Sequence, residues 1–448
     1  MNSNMKSLLS FFSDNEPPVN KNATMGKPIT RLPPPPTLVI PLRQHIGAPA
    51  EPVVEAGAKV KRGQLLARAA GPVSANIHGP AGGTVIQIEP RTGPAGAPIR
   101  SIVMAVDEHA DQTWEDGPLE IDPETIDSED IRTKVEAAGV VGLGGAAFPT
   151  HVKLAKRPKY PVDNVIINGC ECEPFLTCDH RLMLERPNDV IMGARLIAAA
   201  VGAKKIIIAV EDDKHDAAEV LTHETRDFDN ITVLELPRKF PLGAERILIH
   251  ESLGIKVEPR KLPFEAGVIV QNVSTAISVL EAVAIGKPLI ERVITVSGDL
   301  VRNPKNLLVP IGTPVGEILK HCETDLDGFF RLILGGPMTG VAQNDLNVPV
   351  VKGTNGVLAI SGVPISRHLP CVRCARCVSL CPMNLLPSAC GIACEKQEWS
   401  EAEKLSATDC LECGACAFAC PSKRPQIKWI KQAKVEIARK KEKTGSKS

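Results

Sequence analysis

The sequence predicts a multidomain chain of mixed α/β and β architecture with a cysteine-rich metal-binding module near its C-terminal end. Three observations carry that prediction. Short apolar runs broken by Gly and Pro fill residues 37–106 and recur over 292–361. Strand-like and helix-like patterns alternate through the middle of the chain. Ten of the 14 cysteines lie between Cys371 and Cys420. A chain of 448 residues has length for about three domains.

Composition removes several classes of function. With 43 % hydrophobic and 23 % charged residues the chain is an ordinary globular one, neither wholly disordered nor fibrous. Ten Phe, three Trp and one Tyr supply few stacking platforms, and the formal net charge is zero, so a nucleic-acid partner is not expected. The most apolar stretch, Leu196 to Val210, is broken by Lys204 and Lys205 and is too short to span a bilayer. Near the N-terminus, Phe11 and Phe12 are soon followed by Asp14 and Glu16, which leaves no apolar core of a secretory signal. These features predict a cytoplasmic chain.

In order along the chain, residues 1–36 are polar, end in four prolines (Pro33 to Pro36) and read as an extended lead-in. Residues 37–106 read as a small β unit with strands around Leu38–Ile40, Val53–Val54, Leu65–Ala67, Thr84–Ile86 and Ile102–Met104. Residues 107–130 hold eleven acids and no Lys or Arg, the pattern of a solvated linker. The α/β unit spans 131–291, with strands at Val162–Asn168, Lys205–Val210 and Ile231–Leu236 and a helix over Met192–Val201. A second β-rich unit covers 292–364, with strands at Val293–Val296, Leu307–Val309 and Arg331–Leu334. The cysteine module occupies 365–425. Residues 426–448 are strongly basic and read as a helix that frays into a tail.

The most specific motif is a spacing that occurs twice. Cys371, Cys374, Cys377 and Cys381 precede Pro382, and Cys410, Cys413, Cys416 and Cys420 precede Pro421. Each run is C-x2-C-x2-C-x3-C-P, the bacterial ferredoxin pattern in which the fourth cysteine serves the other cluster. The spacing therefore assigns one [4Fe–4S] cluster to Cys371, Cys374, Cys377 and Cys420, and a second to Cys410, Cys413, Cys416 and Cys381. Zinc is the competing reading, but zinc sites usually show separated C-x2-C pairs rather than a repeated triplet with a remote Cys-Pro. Cys390, Cys394 and Cys322 fall outside the pattern and read as buried thiols. Two clusters of this kind form an electron wire with no open iron for a substrate, so no catalytic side chain is assigned.

Gly139 to Thr150 reads G-V-V-G-L-G-G-A-A-F-P-T. It imitates a dinucleotide fingerprint but follows a helical segment, Glu129 to Ala138, and runs into Pro149, so the usual Rossmann context is missing. The glycines still let backbone N–H groups approach a phosphate, with Lys153 as a countercharge; a packing loop is the alternative. Beyond the first α/β strand, Asn168-Gly169-Cys170-Glu171-Cys172-Glu173 places two acids where open α/β sheets bind ligands. Such acids accept hydrogen bonds from ribose hydroxyls or an amide. Cys170, Cys172 and Cys178 match no common metal spacing.

Taken together, Pro41 to Gly47, Gly142 to Lys153, Asn168 to Asp179, Pro241 to Glu245, Asn272 to Thr275 and the double cysteine run identify a resemblance. The whole chain resembles the C subunit of the Rnf (or Rsx) ion-translocating electron-transport complex. Its middle is similar to the NADH-binding flavoprotein subunit of respiratory complex I, with Cys170 where that relative has an aspartate. The resemblance implies noncovalent FMN with Gly142, Gly144, Gly145 and Lys153 near its phosphate. It places Asn168, Glu171 and Asn272 around the flavin and Thr275 near the phosphate, with Phe148 and Glu173 facing NAD(H). Residues 37–106 resemble a biotinyl/lipoyl barrel-sandwich lacking the carrier lysine between its halves, which favours a docking or structural role. Residues 292–364 resemble a ligand-binding β-grasp unit, and 365–425 a dicluster ferredoxin domain.

The implied function is a peripheral electron-input subunit at the cytoplasmic face of a bacterial inner membrane. It would exchange electrons between NAD(H) and integral membrane subunits through FMN and the two clusters, the flavin splitting the hydride's electron pair. Two alternatives use the same features: an NADH-binding subunit of a soluble hydrogenase or formate dehydrogenase complex, and an iron–sulfur relay adaptor without a nucleotide site.

Overall fold

The computed structural model describes residues 16–110, 114, 117, 119, 121–258, 261–328, 330–362 and 367–445. The first fifteen residues of the expected lead-in, parts of the acidic stretch and the end of the basic tail lie outside these.

The α/β unit is built on a four-stranded parallel sheet in the order Ile231–Leu236, Lys205–Glu211, Asn164–Gly169, Val268–Asn272. Val165, Ile166 and Ile167 are all buried, the continuous apolar run expected of a parallel strand covered on both faces. From Asn164–Gly169 the chain moves outward through two strands. It then returns to the opposite side to add Val268–Asn272. The topological switch point therefore lies between the carboxyl ends of Asn164–Gly169 and Val268–Asn272, at Asn168 and Asn272, which are paired in register. Helices Pro187–Val201 and Val273–Ile285 cover one face. Pro187 opens the first, Gly202 ends it in the left-handed region, and Asn272 caps the second by accepting from the Ser274 N–H. The two helices touch at Gly193, where any Cβ would collide with the Ala276 backbone.

On the N-terminal side, Thr37–Pro41, Pro98–Val106, Gly83–Thr92 and Lys59–Val60 form one sheet. Glu51–Pro52, Leu65–Arg68 and Ile77–His78 form the facing one. Leu38, Ile40, Leu66, Ile77, Ile102 and Met104 fill the space between. The segment joining the halves docks on the α/β unit: Asn76 Nδ2 donates to Ala137 O at 3.3 Å. The second β unit is a six-stranded mixed sheet over residues 291–361 that recruits Ile29–Arg31 as an edge strand, parallel to Lys305–Pro310. The supposed lead-in is thus structural from residue 16 onward, with Lys21 and Thr24 buried. The acidic stretch also differs from a solvated linker. Leu119, Ile121 and Ile126 pack on the α/β core, and the Trp114 ring lies against Gly63. Counting acids finds its solvent side and misses this apolar side.

The cysteine-rich segment is helical. Pro387–Glu395, Trp399–Lys404 and Gln426–Gly445 pack through Cys390, Cys394, Ala402, Ile430, Ala433 and Ile437. Cys390 and Cys394 are buried thiols there, as is Cys322 in the second β unit. Among the described residues no helix is long and apolar enough to cross a membrane.

Glu291 joins three units. Its carboxylate meets Arg31 at 2.6 Å, Arg62 at 2.7 Å and Lys287 at 3.0 Å. Burial opposes its ionisation, but Lys287, Arg62 and Arg31 outweigh it and hold the carboxyl down at about 2. Because this lies below the ordinary 4.5, the stabilisation is present above that pH and is lost as pH falls toward 2. Removing one partner of a buried charge cluster costs about 3 kcal/mol. Glu291→Gln is therefore expected to lower the thermal midpoint at neutral pH, and the gap to the wild type should close on acidification through this window.

Candidate functional site

The two cysteine runs cross. Cys371, Cys374, Cys377 and Cys420 line one cavity of about 280 Å³. Cys381, Cys410, Cys413 and Cys416 line a second, smaller one. Each quartet takes three residues from one run and the remote cysteine from the other. The backbone repeats as well: Arg373 and Ala375 have positive φ at the same offsets as Glu412 and Gly414, and Asn384 at the same offset as Lys423. These turns aim amides at sulfur, as in Glu412 N–H to Cys410 Sγ at 3.3 Å and Leu385 N–H to Cys381 Sγ at 3.4 Å.

The donor set fits a polynuclear cluster. Among the described residues no three of these sulfurs lie within 4.8 Å of one another, whereas a tetrahedron of 2.3 Å Zn–S bonds has edges of roughly 3.8 Å. Burial, then the charges of Cys410, Cys413, Cys377 and Cys381, push the Cys416 thiol well up. Cys410 and Cys413 are raised too, mainly by burial. A bound cationic centre removes that penalty.

The glycine loop lies over the switch point. Leu143 N–H donates to Thr275 Oγ1 at 2.9 Å, and its C=O accepts from the buried Arg292 guanidinium at 3.2 Å. Gly142 N–H bonds Phe148 O, closing the loop on itself. Between these anchors Gly144, Gly145 and Ala146 are exposed, and among the described residues their N–H groups have no acceptor. Gly145 has φ +106°, and Gly144 comes so near Asn272 that an added Cβ would touch its side chain. This backbone leaves three N–H groups open beside Asn272, which fits a phosphate-bearing cofactor. Phe148 is half-buried at the loop's end, and Lys153 Nζ pairs with Glu245 at 2.6 Å.

Asn168 ties the strand end to a neighbouring loop: its Nδ2 donates to Gly243 O at 3.0 Å, and its Oδ1 accepts from Cys170 N–H at 3.0 Å. Glu171 is buried and turned to the helix Cys178–Glu185. It accepts from the Cys178 thiol at 3.2 Å, Asp179 N–H at 3.0 Å and His180 N–H at 3.2 Å, three donors at a helix N-terminus. Glu173 reaches the second β unit, accepting from Met338 N–H at 3.0 Å, Thr339 N–H at 2.8 Å and the Thr339 hydroxyl. Burial raises its pKa against these donors. A nucleotide amide approaching Glu173 must compete with them. Cys170 Sγ donates to Ala209 O at 3.6 Å, and burial pushes the Cys172 thiol up to about 12.

Four residues absent from the sequence-based set shape this site. Asp179 bonds Asn272 Nδ2 at 2.6 Å and Ser274 Oγ at 2.9 Å, and burial, then the Glu171 charge, raise its carboxyl to about 6. Arg292 donates to Leu143 O and to Lys352 O. Lys352 is fully buried, with Nζ on Asn76 O and Gly139 O at 2.7 Å each; burial lowers it to about 7. Lys21 donates to Glu171 O from the N-terminal segment. Their partners are far away in sequence, so no local pattern marks them.

The Thr275 hydroxyl anchors the loop, and Thr275→Val keeps its shape while leaving a buried N–H unpaired. A lost neutral hydrogen bond of about 1–1.5 kcal/mol predicts roughly tenfold faster hydrogen exchange at the Leu143 amide. Unchanged exchange would remove Thr275 as the anchor.

Comparison with known proteins fits this arrangement. Residues 10–109 match the RnfC barrel sandwich hybrid domain, 135–281 the Nuo51 FMN-binding domain and 293–342 the SLBB domain. The C subunit of an ion-translocating oxidoreductase complex from Rhodobacter capsulatus is 43 % identical over 376 residues, covering 83 % of this chain and 72 % of that one. The C subunit of a proton-translocating ferredoxin:NAD(+) oxidoreductase complex from Clostridium ljungdahlii is 38 % identical, covering 96 % and 94 %. The sodium-translocating counterpart from Acetobacterium woodii is also 38 % identical, covering 94 % and 95 %. The barrel-sandwich unit, the FMN-binding type of α/β domain, the second β unit and this identity over most of the chain lead to one conclusion: the chain belongs to the RnfC family, the C subunits of ion-translocating oxidoreductase complexes.

Proposed function

We propose that the chain is the peripheral electron-input subunit of such a complex, at the cytoplasmic face of the membrane, exchanging electrons between NAD(H) and the other subunits through noncovalent FMN and two [4Fe–4S] clusters. One observation carries this reading. Two cysteine quartets, each drawn from both runs, line separate cavities in a chain whose glycine loop holds open N–H groups at a topological switch point. The names of the relatives, which include ferredoxin:NAD(+) oxidoreductases coupled to protons or sodium, support the substrate pair.

Bound flavin takes up a hydride's electron pair and releases it singly, and iron–sulfur centres accept single electrons. The protein's own groups bind and orient. The N–H groups of Gly144, Gly145 and Ala146 would donate to the phosphate, with Gly142 and Thr275 holding the loop in shape. Lys153, partly neutralised by Glu245, adds a positive charge beside the loop. Asn168 and Asn272 bracket the flavin's place at the two strand ends. Asp179, with its raised carboxyl beside Asn272, can hold a proton there. Glu171 is assigned with Asn168 and Asn272 to the flavin's surroundings, where it holds the helix terminus that carries Asp179. Phe148 and Glu173 are assigned to NAD(H), Glu173 by exchanging its hold on Thr339 for the nucleotide. Each cysteine quartet would ligate one cluster.

Anaerobically purified protein is expected to hold about eight irons per chain and to release flavin into the supernatant on acid precipitation. NADH should bleach the visible iron–sulfur absorption. Folded protein that contains no flavin and takes none up would overturn the NAD(H) reading. Cys420→Ala should damage the centre held by Cys371, Cys374 and Cys377 while the other remains. Intact signals from both centres in that variant would refute the crossed ligation.

A further inference from the structure

The two cysteine quartets have unlike surroundings. The loop that supplies Cys410, Cys413 and Cys416 is acidic, with Asp409 and Glu412 and no basic residue from Ala407 to Cys420. It is also covered. Lys431 and Lys434 of the last long helix pair with Glu412, and Lys434 Nζ donates to Cys410 O at 2.7 Å. On its other side Gly414 meets the second β unit, where an added Cβ would come within 2.6 Å of Met338 O. Met338 is the residue whose N–H bonds Glu173. One turn of chain therefore links the acidic loop at the switch point to the inner quartet.

The other quartet faces outward. Cys374 is exposed. Leu369 and Val372 are 61 % and 65 % exposed, and Ile392, which lines the same cavity, is exposed as well. From Arg367 to Val378 there are three arginines and no acid. Among the described residues Arg367, Arg373, Lys423 and Lys428 are exposed and form no salt bridge. Arg373 lines the cavity itself, and Leu369 N–H bonds the backbone O of Ser422, another lining residue, which brings Arg367 and Lys423 to the same rim. An apolar centre with a ring of unpaired charge of one sign is the anatomy of a transient docking surface.

We propose that the mouth of the Cys371–Cys374–Cys377–Cys420 cavity is the face on which the chain docks an electron-transfer partner, and that this partner presents a carboxylate-rich rim around its own one-electron centre. This rests on the functional reading above. The outer quartet is then the end of the relay and the inner quartet its link to the switch-point crevice. At the contact one electron passes, the outer centre being oxidised as the partner's is reduced, or the reverse.

The test uses the full chain with Arg367→Glu, Arg373→Glu and Lys423→Glu, none of which is a cluster ligand. A control reverses the same number of charges on the α/β unit, at Lys204, Lys205 and Lys256. The readouts are iron content, visible spectrum and binding to the remaining subunits of the complex, purified as an assembly lacking this chain, at low and high salt. The triple variant should keep wild-type iron and spectrum and bind at least tenfold more weakly at low salt. The wild type should lose affinity as salt is raised, because exposed charges are screened. The control should bind as the wild type does. Leu369→Ser, which leaves the charges untouched, should also weaken binding and serves if the triple variant loses iron. Wild-type affinity in either variant with its iron intact overturns the docking face. A wild-type chain without iron–sulfur absorption overturns the functional reading instead.

Discussion

Leu143 is held at both of its backbone polar groups, its N–H by the Thr275 hydroxyl and its C=O by the buried Arg292 guanidinium. The partners come from two different units, Thr275 from the helix after the last parallel strand and Arg292 from the first strand of the second β unit. A glycine-rich segment pinned only at its ends would sample many conformations and offer no defined anion site. Pinned in its middle, it presents Gly144, Gly145 and Ala146 to the switch point with their N–H groups open. The same tie makes the crevice a joint property of two units, since withdrawing the second β unit would remove the guanidinium.

Buried charge repeatedly marks where the units meet. Glu291 gathers cations from the N-terminal strand, the barrel-sandwich unit and the end of the Val273–Ile285 helix. Lys352 reaches from the second β unit to carbonyls of both the barrel-sandwich and the α/β unit, with no carboxylate paired to it among the described residues. Such groups are expensive to bury, and losing one partner leaves an unsatisfied charge or dipole in a medium that cannot solvate it. The consequence is orientational. An apolar interface tolerates sliding, whereas a buried lysine nitrogen bonded to two fixed carbonyls does not. Glu173 acts likewise, joining the switch-point loop to the Met338 turn against which the inner cysteine loop packs. The crevice and the inner quartet are thereby held in one frame.

The parts of this arrangement differ in how far they could be read from residues alone. The cysteine spacing was legible because the pattern of C-x2-C-x2-C-x3-C-P is local and strict, and few other uses of cysteine need it. The parallel strands were legible because burial on both faces demands an unbroken apolar run, as at Val165–Ile167. The acidic stretch misled because counting acids ignores Trp114, Leu119, Ile121 and Ile126, whose spacing is irregular. The N-terminal segment misled for a related reason. Ile29–Arg31 is too short to announce a strand, and it becomes one only because the edge of a distant sheet supplies the hydrogen bonds.

By itself the sequence determined the chemistry this chain carries: two repeated cysteine runs, a glycine loop, a strand ending in Asn168 and two acids beyond it. These are composition and short-range spacing, and they survive in any fold that keeps the order of residues. The tertiary structure alone decided where that chemistry is aimed. Pairing Asn168 with Asn272 places the switch point, Arg292 and Thr275 shape the loop, and Glu171 and Glu173 are drawn to a helix terminus and a neighbouring turn. One cysteine quartet lies against lysines of the last helix, while the other has Cys374 exposed at its mouth. Apart from Glu171, whose donors lie seven to nine residues on, each of these joins residues far apart in the chain, and a buried hydrogen bond or charge pair finds its partner by proximity in space, which no short window of sequence contains.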